Sequence, residues 1–327
     1  MLRFIVRRLV GMVLVLFACS VLVFLVFMVA PGGGTDAAAR RIAGKNATPQ
    51  LIANVKKDFG FDKSLPVQYG TMMKKIFTGS LVSYSSQLNV VDEIKNGTPA
   101  TFSVIIGAAV LWLFFGIVFG YLSAVHSGGF TDKALTIAAL VGISAPVFLL
   151  ASFLLYYFTF KLTWFPNGGY VPLTQDPISW AKHLILPWFA LTILYIGFYS
   201  RVLRSNMLDV MNEDYVRTAR AKGLSEQQVR TKHVLRNALI PIVTIFGLDF
   251  GAVLGGGDLV IESIFNIHGI GYFAAQALSN QDLPPIMAVT LLGAFFIVFF
   301  NALVDIAYAY LDPRIRLGTA AAAGAGV

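Results

Sequence analysis

Uncharged apolar runs alternate along this chain with short charged connections. Residues 9–30 hold no charge and include a Val/Leu/Phe-rich run from Leu14 to Val29. Residues 100–125 and 134–160 form a second and a third run, and 184–200, with Pro187 near its start, a shorter fourth. Residues 237–262 are apolar but interrupted by Asp249, Asp258 and Gly255-Gly256-Gly257; residues 286–304 lead through Asp305 to Leu311. A helix crosses a hydrocarbon core of about 30 Å with about 20 mostly apolar residues. The pattern therefore predicts an all-α polytopic membrane protein with six transmembrane helices. The alternative for the first run is a cleaved signal peptide, since Arg3, Arg7 and Arg8 precede it. Signal cores are about 7–15 residues long and end at a small-residue cleavage site. This run is longer and leads into Pro31-Gly32-Gly33.

The interval 31–98 is too long for a plain connection. Thr48-Pro49 reads as an N-cap followed by the first helical residue. Leu51, Ile52, Val55 and Phe59 then share a face before Gly60, and Met72, Met73, Ile76 and Phe77 repeat the spacing. Two short amphipathic helices forming an outer cap are expected here, lying on the membrane surface or meeting a soluble partner.

The connection 201–236 carries the densest local signals. Asn212 suits an N-cap, Glu213 and Asp214 suit the positive end of a helix, and Arg220 and Lys222 its negative end. Gly223 stands where a left-handed residue closes a helix. Ser225 with Gln228 makes a capping box that opens the next helix. The sequence thus specifies a short helix, a glycine turn and a second helix feeding the fifth span. Such a rigid charged elbow suits docking; the alternative is a surface helix resting on anionic lipid.

Composition agrees with the spans: 57% of residues are hydrophobic and only 13% charged, against about 25% charged in soluble domains. A single cysteine excludes a disulfide scaffold. Lysine and arginine set the orientation. With the N-terminus inside, the inner side holds Arg3, Arg7, Arg8, Lys133, Arg314, Arg316 and the basic residues of 201–236, while the short outer loops hold only Lys161 and Lys182. The net charge of +8 is then mostly a topology signal, and no nucleic-acid partner is needed to explain it. Both termini are expected in the cytoplasm.

Catalytic chemistry has no constellation in the sequence. There is no phosphate loop, because Gly44-Lys45 lacks the earlier glycine and the hydroxyl partner. Gly142-Ile143-Ser144-Ala145-Pro146 misses the nucleophile-elbow pattern at its second glycine, which leaves Ser144 as a polar residue before a helix kink. No metal-ligand spacing is present. Gly247, Gly251 and Gly255, like Gly116 and Gly120, recur at four-residue spacing, which lets helices approach closely in lipid. Asp249 lies mid-span, where a carboxylate costs about 2.5–3.5 kcal/mol on insertion scales. It is expected to line a translocation path or to make a polar contact inside the bundle.

The segments Tyr-Val-Arg-Thr-Ala-Arg-Ala-Lys-Gly-Leu-Ser at 215–225 and His-Val-Leu-Arg-Asn-Ala-Leu-Ile-Pro at 233–241 resemble the cytoplasmic loop of binding-protein-dependent ABC importer permeases. The likeness is to the B-type permease of the oligopeptide, dipeptide and nickel branch. It extends to Arg-Arg-Leu at 7–9, Pro-Val-Gln-Tyr at 66–69, Ser-Ala-Pro-Val-Phe at 144–148, Trp-Phe-Pro-Asn-Gly-Gly at 164–169, Glu-Ser-Ile-Phe at 262–265, Asn-Ala-Leu-Val-Asp at 301–305 and Tyr-Leu-Asp-Pro-Arg-Ile-Arg at 310–316. Arg217-Thr218-Ala219 stand where the broader family opens with an acidic residue and two alanines, Arg236 where it places a proline, and His268 where proline is expected.

The resemblance implies a type I ABC importer permease fold: a first helix at 1–30, an extracytoplasmic helical segment at 31–98, a core permease domain at 99–311 and a cytoplasmic tail at 312–327. It implies that Glu213, Asp214, Tyr215, Arg217, Ala219, Arg220, Ala221, Lys222, Gly223, Leu224 and Ser225 couple to a cytoplasmic ATPase. The implied partners are a homologous second permease, two ABC ATPase subunits, an extracytoplasmic substrate-binding protein and the lipid bilayer of the bacterial inner membrane. No cofactor is expected on this chain, with ATP and Mg on the ATPases. Peptides are the expected cargo. Nickel or another small solute, or a gradient-driven secondary transporter, are the alternatives.

Overall fold

The computed structural model describes residues 2–29, 34–44 and 47–311. Pro31-Gly32-Gly33, Lys45, Arg314, Arg316 and the Ala/Gly-rich end Thr319 to Val327, whose composition predicts disorder, lie outside the described residues. In chain order the helices are α1 (Leu2–Phe24), α2 (Gly34–Ala43), α3 (Pro49–Phe59), α4 (Leu65–Phe77), α5 (Val90–Val125), α6 (Phe130–Ser144), α7 (Val147–Leu154), α8 (Pro177–Met211), α9 (Asp214–Ala221), α10 (Glu226–Gln228), α11 (Arg236–Ala252), α12 (Leu259–Ile264), α13 (Ile270–Asn280) and α14 (Leu283–Leu311). Wider π-type turns at Leu25–Val29, Leu155–Lys161, Val229–Leu235 and Val253–Gly257 extend α1, α7, α10 and α11.

Among the described residues, five helical stretches are long and apolar enough to cross a membrane: Ile5–Phe27, Val90–Val125, Pro177–Met211, Glu226–Gly256 and Leu283–Ile306. The third apolar run departs from the expectation of a plain span. It is two helices, Phe130–Ser144 and Val147–Lys161, bent by 98°. Proline clashes with a helical conformation in the residue before it, and Ala145, preceding Pro146, is extended at φ −81°, ψ 125°. Ser144 donates to the Leu140 carbonyl at 2.8 Å at this break, as its reading as a pre-kink polar residue implied.

Other boundaries move for physical reasons. The second span begins at Val90, inside the interval 31–98, because Asp92 and Glu93 favour a helix start. The boundary drawn at 98/99 therefore falls within one continuous helix. The fifth span stops at Gly256, whose φ of 125° breaks the helix, so Asp258 lies beyond it.

The described chain divides into two compact units. The first comprises Met1–Ile105, Ala151–Pro187 and Ala252–Val298. Helix α3 of this unit has the predicted caps: Thr48 Oγ1 accepts from Leu51 N at 3.2 Å, and Gly60 closes the helix at φ 65°. Val55, Phe59 and Met72 are fully buried in one cluster with Phe24, Ile42, Leu81 and Met287. Each such side chain contributes about 1.5–3 kcal/mol. Phe77, assigned by spacing to the buried face, is instead 85% exposed at the end of α4. Helix α2, unpredicted, supplies Ala39 and Ile42 to the cluster.

Acidic groups tie the rest of this unit together. Asp282 Oδ2 accepts from the hydroxyls of Ser83 and Ser85, each at 2.5 Å. Glu262 is wholly buried; it accepts from Thr101 Oγ1 at 2.5 Å and from Tyr272 N at 2.8 Å, while Thr101 in turn accepts from Ile270 N at 2.8 Å.

The second unit comprises Ile106–Leu150, Trp188–Gly251 and Phe299–Val327. Glycine allows its helices to approach. A Cβ at Gly116 would overlap Tyr199, and one at Gly120 would overlap the Ser200 carbonyl and Leu203. Gly247 lies equally tight on Val304. Packing within the chain thus accounts for these glycines without a partner helix. Asp132 of α6 is held by Arg204 of α8 through Nε and Nη2, both at 2.7 Å. It also accepts from the Ser123 hydroxyl and from Gly128 N.

Candidate functional site

The elbow is built by its caps and by one buried edge. Helix α9 runs Asp214–Ala221, and its N-cap is Glu213 (φ −69°, ψ 147°) rather than Asn212. The Asn212 amide turns back to the Leu208 carbonyl at 3.0 Å, which removes it from capping. At the other end Gly223 is left-handed at φ 79°. Its N–H donates to Arg220 O at 2.9 Å and that of Leu224 to Ala219 O, which satisfies the last carbonyls of α9. Ser225 and Gln228 form the complete capping box. The short helix, glycine turn and second helix are all present.

Burial sorts the proposed coupling residues. Glu213, Asp214, Tyr215, Arg217, Arg220, Ala221, Lys222, Gly223, Leu224 and Ser225 are all exposed. Ala219 differs from them: with 6% exposure it lies on the inner edge of α9. Beside it Val216 is completely buried, and α9 rests on the Val229–Leu235 turn, where Val229 and Val234 are also buried. Sequence reasoning passed over Val216, which is one apolar residue among charges; its spacing of three to Ala219 was the available signal.

Polar contacts hold the corner. Arg220 Nε meets Glu226 Oε1 at 2.7 Å across the glycine turn, and Arg230 Nε reaches Glu226 Oε2 at 3.5 Å. Tyr215 accepts from the Asn237 amide at 2.7 Å, joining α9 to α11. Exposed ion pairs contribute about 0–1 kcal/mol each, so they align the corner more than they stabilise it.

Asp249 is half-buried on α11 and accepts from the Tyr199 hydroxyl at 2.8 Å. Aromatic rings surround this pair: Tyr195 lies 6.4 Å from Tyr199, Trp112 stacks on Tyr195 at 4.4 Å, and Phe246 lies 6.0 Å from Trp112. His268, in the first unit, leans on Tyr272 with ring centroids 4.6 Å apart. Among the described residues no group of three or more His, Cys, Asp or Glu could hold a metal ion.

Comparison with known proteins gives the family. Residues 116–317 match the family described as binding-protein-dependent transport system inner membrane component, and residues 1–105 match its N-terminal membrane component. The chain is 38% identical to a probable peptide ABC transporter permease of Sinorhizobium fredii, over 96% of this chain and 99% of the relative. It is also 38% identical to the glutathione transport system permease GsiC of Shigella flexneri, over 97% of this chain and 99% of that one. Matched along nearly its whole length, and bearing the elbow whose residues first suggested the likeness, the chain belongs to the binding-protein-dependent transport system inner membrane component family.

Proposed function

We propose that the chain is the permease subunit of an ATP-driven peptide importer, forming half of a translocation path and coupled to a cytoplasmic ATPase through the 212–228 elbow. The carrying observation is the elbow itself: a helix closed by a left-handed glycine and followed by a capping box, with one buried edge and an exposed charged face, in a member of this transport family. The peptide and glutathione transporters among its relatives support peptides as cargo. Nickel or another small solute remains the alternative within the branch.

In this reading the bent pair counts as a sixth span, both termini lie in the cytoplasm, and the fold is that of type I importers in the bacterial inner membrane. ATP and Mg act on two partner ATPases, with a second permease and an extracytoplasmic substrate-binding protein completing the assembly. Closure of the ATPases displaces the elbow. Val216 and the Tyr215–Asn237 contact pass that displacement to α11, the helix that carries Asp249. A carboxylate with one protein hydrogen bond in mid-span needs further polar contact, and a hydrated path supplies it.

Tagging the chain in its own host and extracting it in mild detergent tests the assignment. Recovery of a second permease with phosphate-loop ATPases is expected. A chain recovered alone and transporting without ATP would overturn it in favour of a gradient-driven carrier.

A further inference from the structure

The geometry points to a binding site for one anionic phospholipid, in the cleft between α6 and α8 of the second unit. The two helices run antiparallel: Asp132 meets Arg204, Gly197 lies on Ala139 and Ile143, and Gly142 lies on Ile193. Between them opens a cleft of about 860 Å³. Its contents are graded along its length. Lys133, Arg201 and Ser205 line one end, and Ile137, Ile143 and Phe198 line the rest.

Charge at the polar end is unbalanced. Arg204 is spent on Asp132, whereas Lys133 and Arg201 are exposed and take part in no ion pair among the described residues. Two free cations facing one cleft suit a phosphate group. The apolar remainder suits a chain rather than a second polar group: Ile137 is 61% exposed, and Phe198, edge-on to Tyr199 at 5.8 Å, is still 43% exposed. From Lys133 to Ile143 the helix rises roughly 15 Å at 1.5 Å per residue, which is half of a hydrocarbon core of about 30 Å. The cleft therefore matches a phospholipid of a single leaflet, its headgroup phosphate between Lys133 and Arg201 and an acyl chain along Ile137 and Phe198. Basic pockets between transmembrane helices hold anionic headgroups in this manner. Because Asp132 and Arg204 lock the floor of the cleft, the lipid would brace α6 against the helix that leads into the elbow.

The purified full-length protein, with its co-purifying partners, is titrated with phosphatidylglycerol and with phosphatidylcholine, and bound lipid is counted by native mass spectrometry. One tightly held phosphatidylglycerol is expected, preferred over phosphatidylcholine by about tenfold. The Lys133→Gln/Arg201→Gln double variant should lose that preference. Equal retention of the two lipids by the unaltered protein, or an undiminished preference in the double variant, would overturn the site. Competition by inorganic phosphate or glycerol phosphate at concentrations comparable to the lipid would reassign it to a soluble anion. A photoreactive phosphatidylglycerol on the unaltered protein keeps the test independent of how the variant folds. Labelling within 130–143 or 198–205 supports the site. Labelling confined elsewhere, or a cleft closed by a partner subunit in the assembled complex, refutes it.

Discussion

A valine at Gly223 would have to hold φ near the observed 79°, a conformation that costs an L-residue about 1–2 kcal/mol and a β-branched one more. Space is not the obstacle, because a Cβ there meets nothing within 4 Å. Asparagine tolerates the left-handed region, so the backbone requirement can be separated from side-chain bulk. Gly223→Val should lower the ATPase recovered with the chain and its substrate-stimulated hydrolysis at least severalfold, whereas Gly223→Asn should retain most of both. Equal behaviour of the two variants would show that the turn has no coupling role. For Asp249, replacement by asparagine keeps the shape and the Tyr199 contact but removes the charge. Transport by Asp249→Asn should fall or change its substrate preference while membrane insertion is unaltered; unchanged rates would remove Asp249 from the path. Gly223 was legible in the sequence because the rule is local, a glycine following a basic last turn. The partner of Asp249 was not, since Tyr199 lies 50 residues away and no periodicity joins them.

Among the elements, those with strong local signals formed where expected: α3 with its threonine cap and glycine stop, α10 with its capping box, and the break at Pro146. Helix α2 escaped prediction because Gly-Thr-Asp-Ala-Ala-Ala-Arg-Arg-Ile-Ala offers Ile42 as its one large apolar side chain; it is held by tertiary contacts through Ala39 and Ile42. The end of the fifth apolar run departs from expectation for another reason. Asp258 and Glu262 fall inside the run 237–262, yet both lie beyond the spanning helix, at 1% and 0% exposure. Burial, and then the neighbouring Glu262, push the Asp258 carboxyl well above the usual carboxylate range. Burial raises Glu262 too, against hydrogen bonds from Thr101, from Asp258 and from the backbone at 271 and 272. A folded-state value above the unfolded one gives stability that is complete below the ordinary carboxylate range and is lost as pH rises through the raised value. The melting temperature of the purified protein should therefore decline from about pH 4 upward, and Asp258→Asn should flatten that decline. An unaltered slope in the variant would place the titration elsewhere.

Across the whole molecule, apolar run length was the most readable property. A bilayer fixes the length of a crossing helix, so hydropathy alone located the five helices long enough to span among the described residues. It could not locate the ion pair between Asp132 and Arg204, which joins residues 72 positions apart, nor tell that one run folds as two helices at 98°. The claim on which the functional account rests is that the exposed face of α9 meets an ATPase. Cys19 is the single cysteine of the chain, so Cys19→Ser gives a background in which Lys222→Cys, an exposed position beside the glycine turn, carries the only thiol. A short bifunctional reagent applied to the membrane-embedded complex should join this residue to one ATPase subunit, with a yield that changes when ATP is added. A complex that still hydrolyses ATP and imports its substrate, but gives no such adduct, would contradict the account.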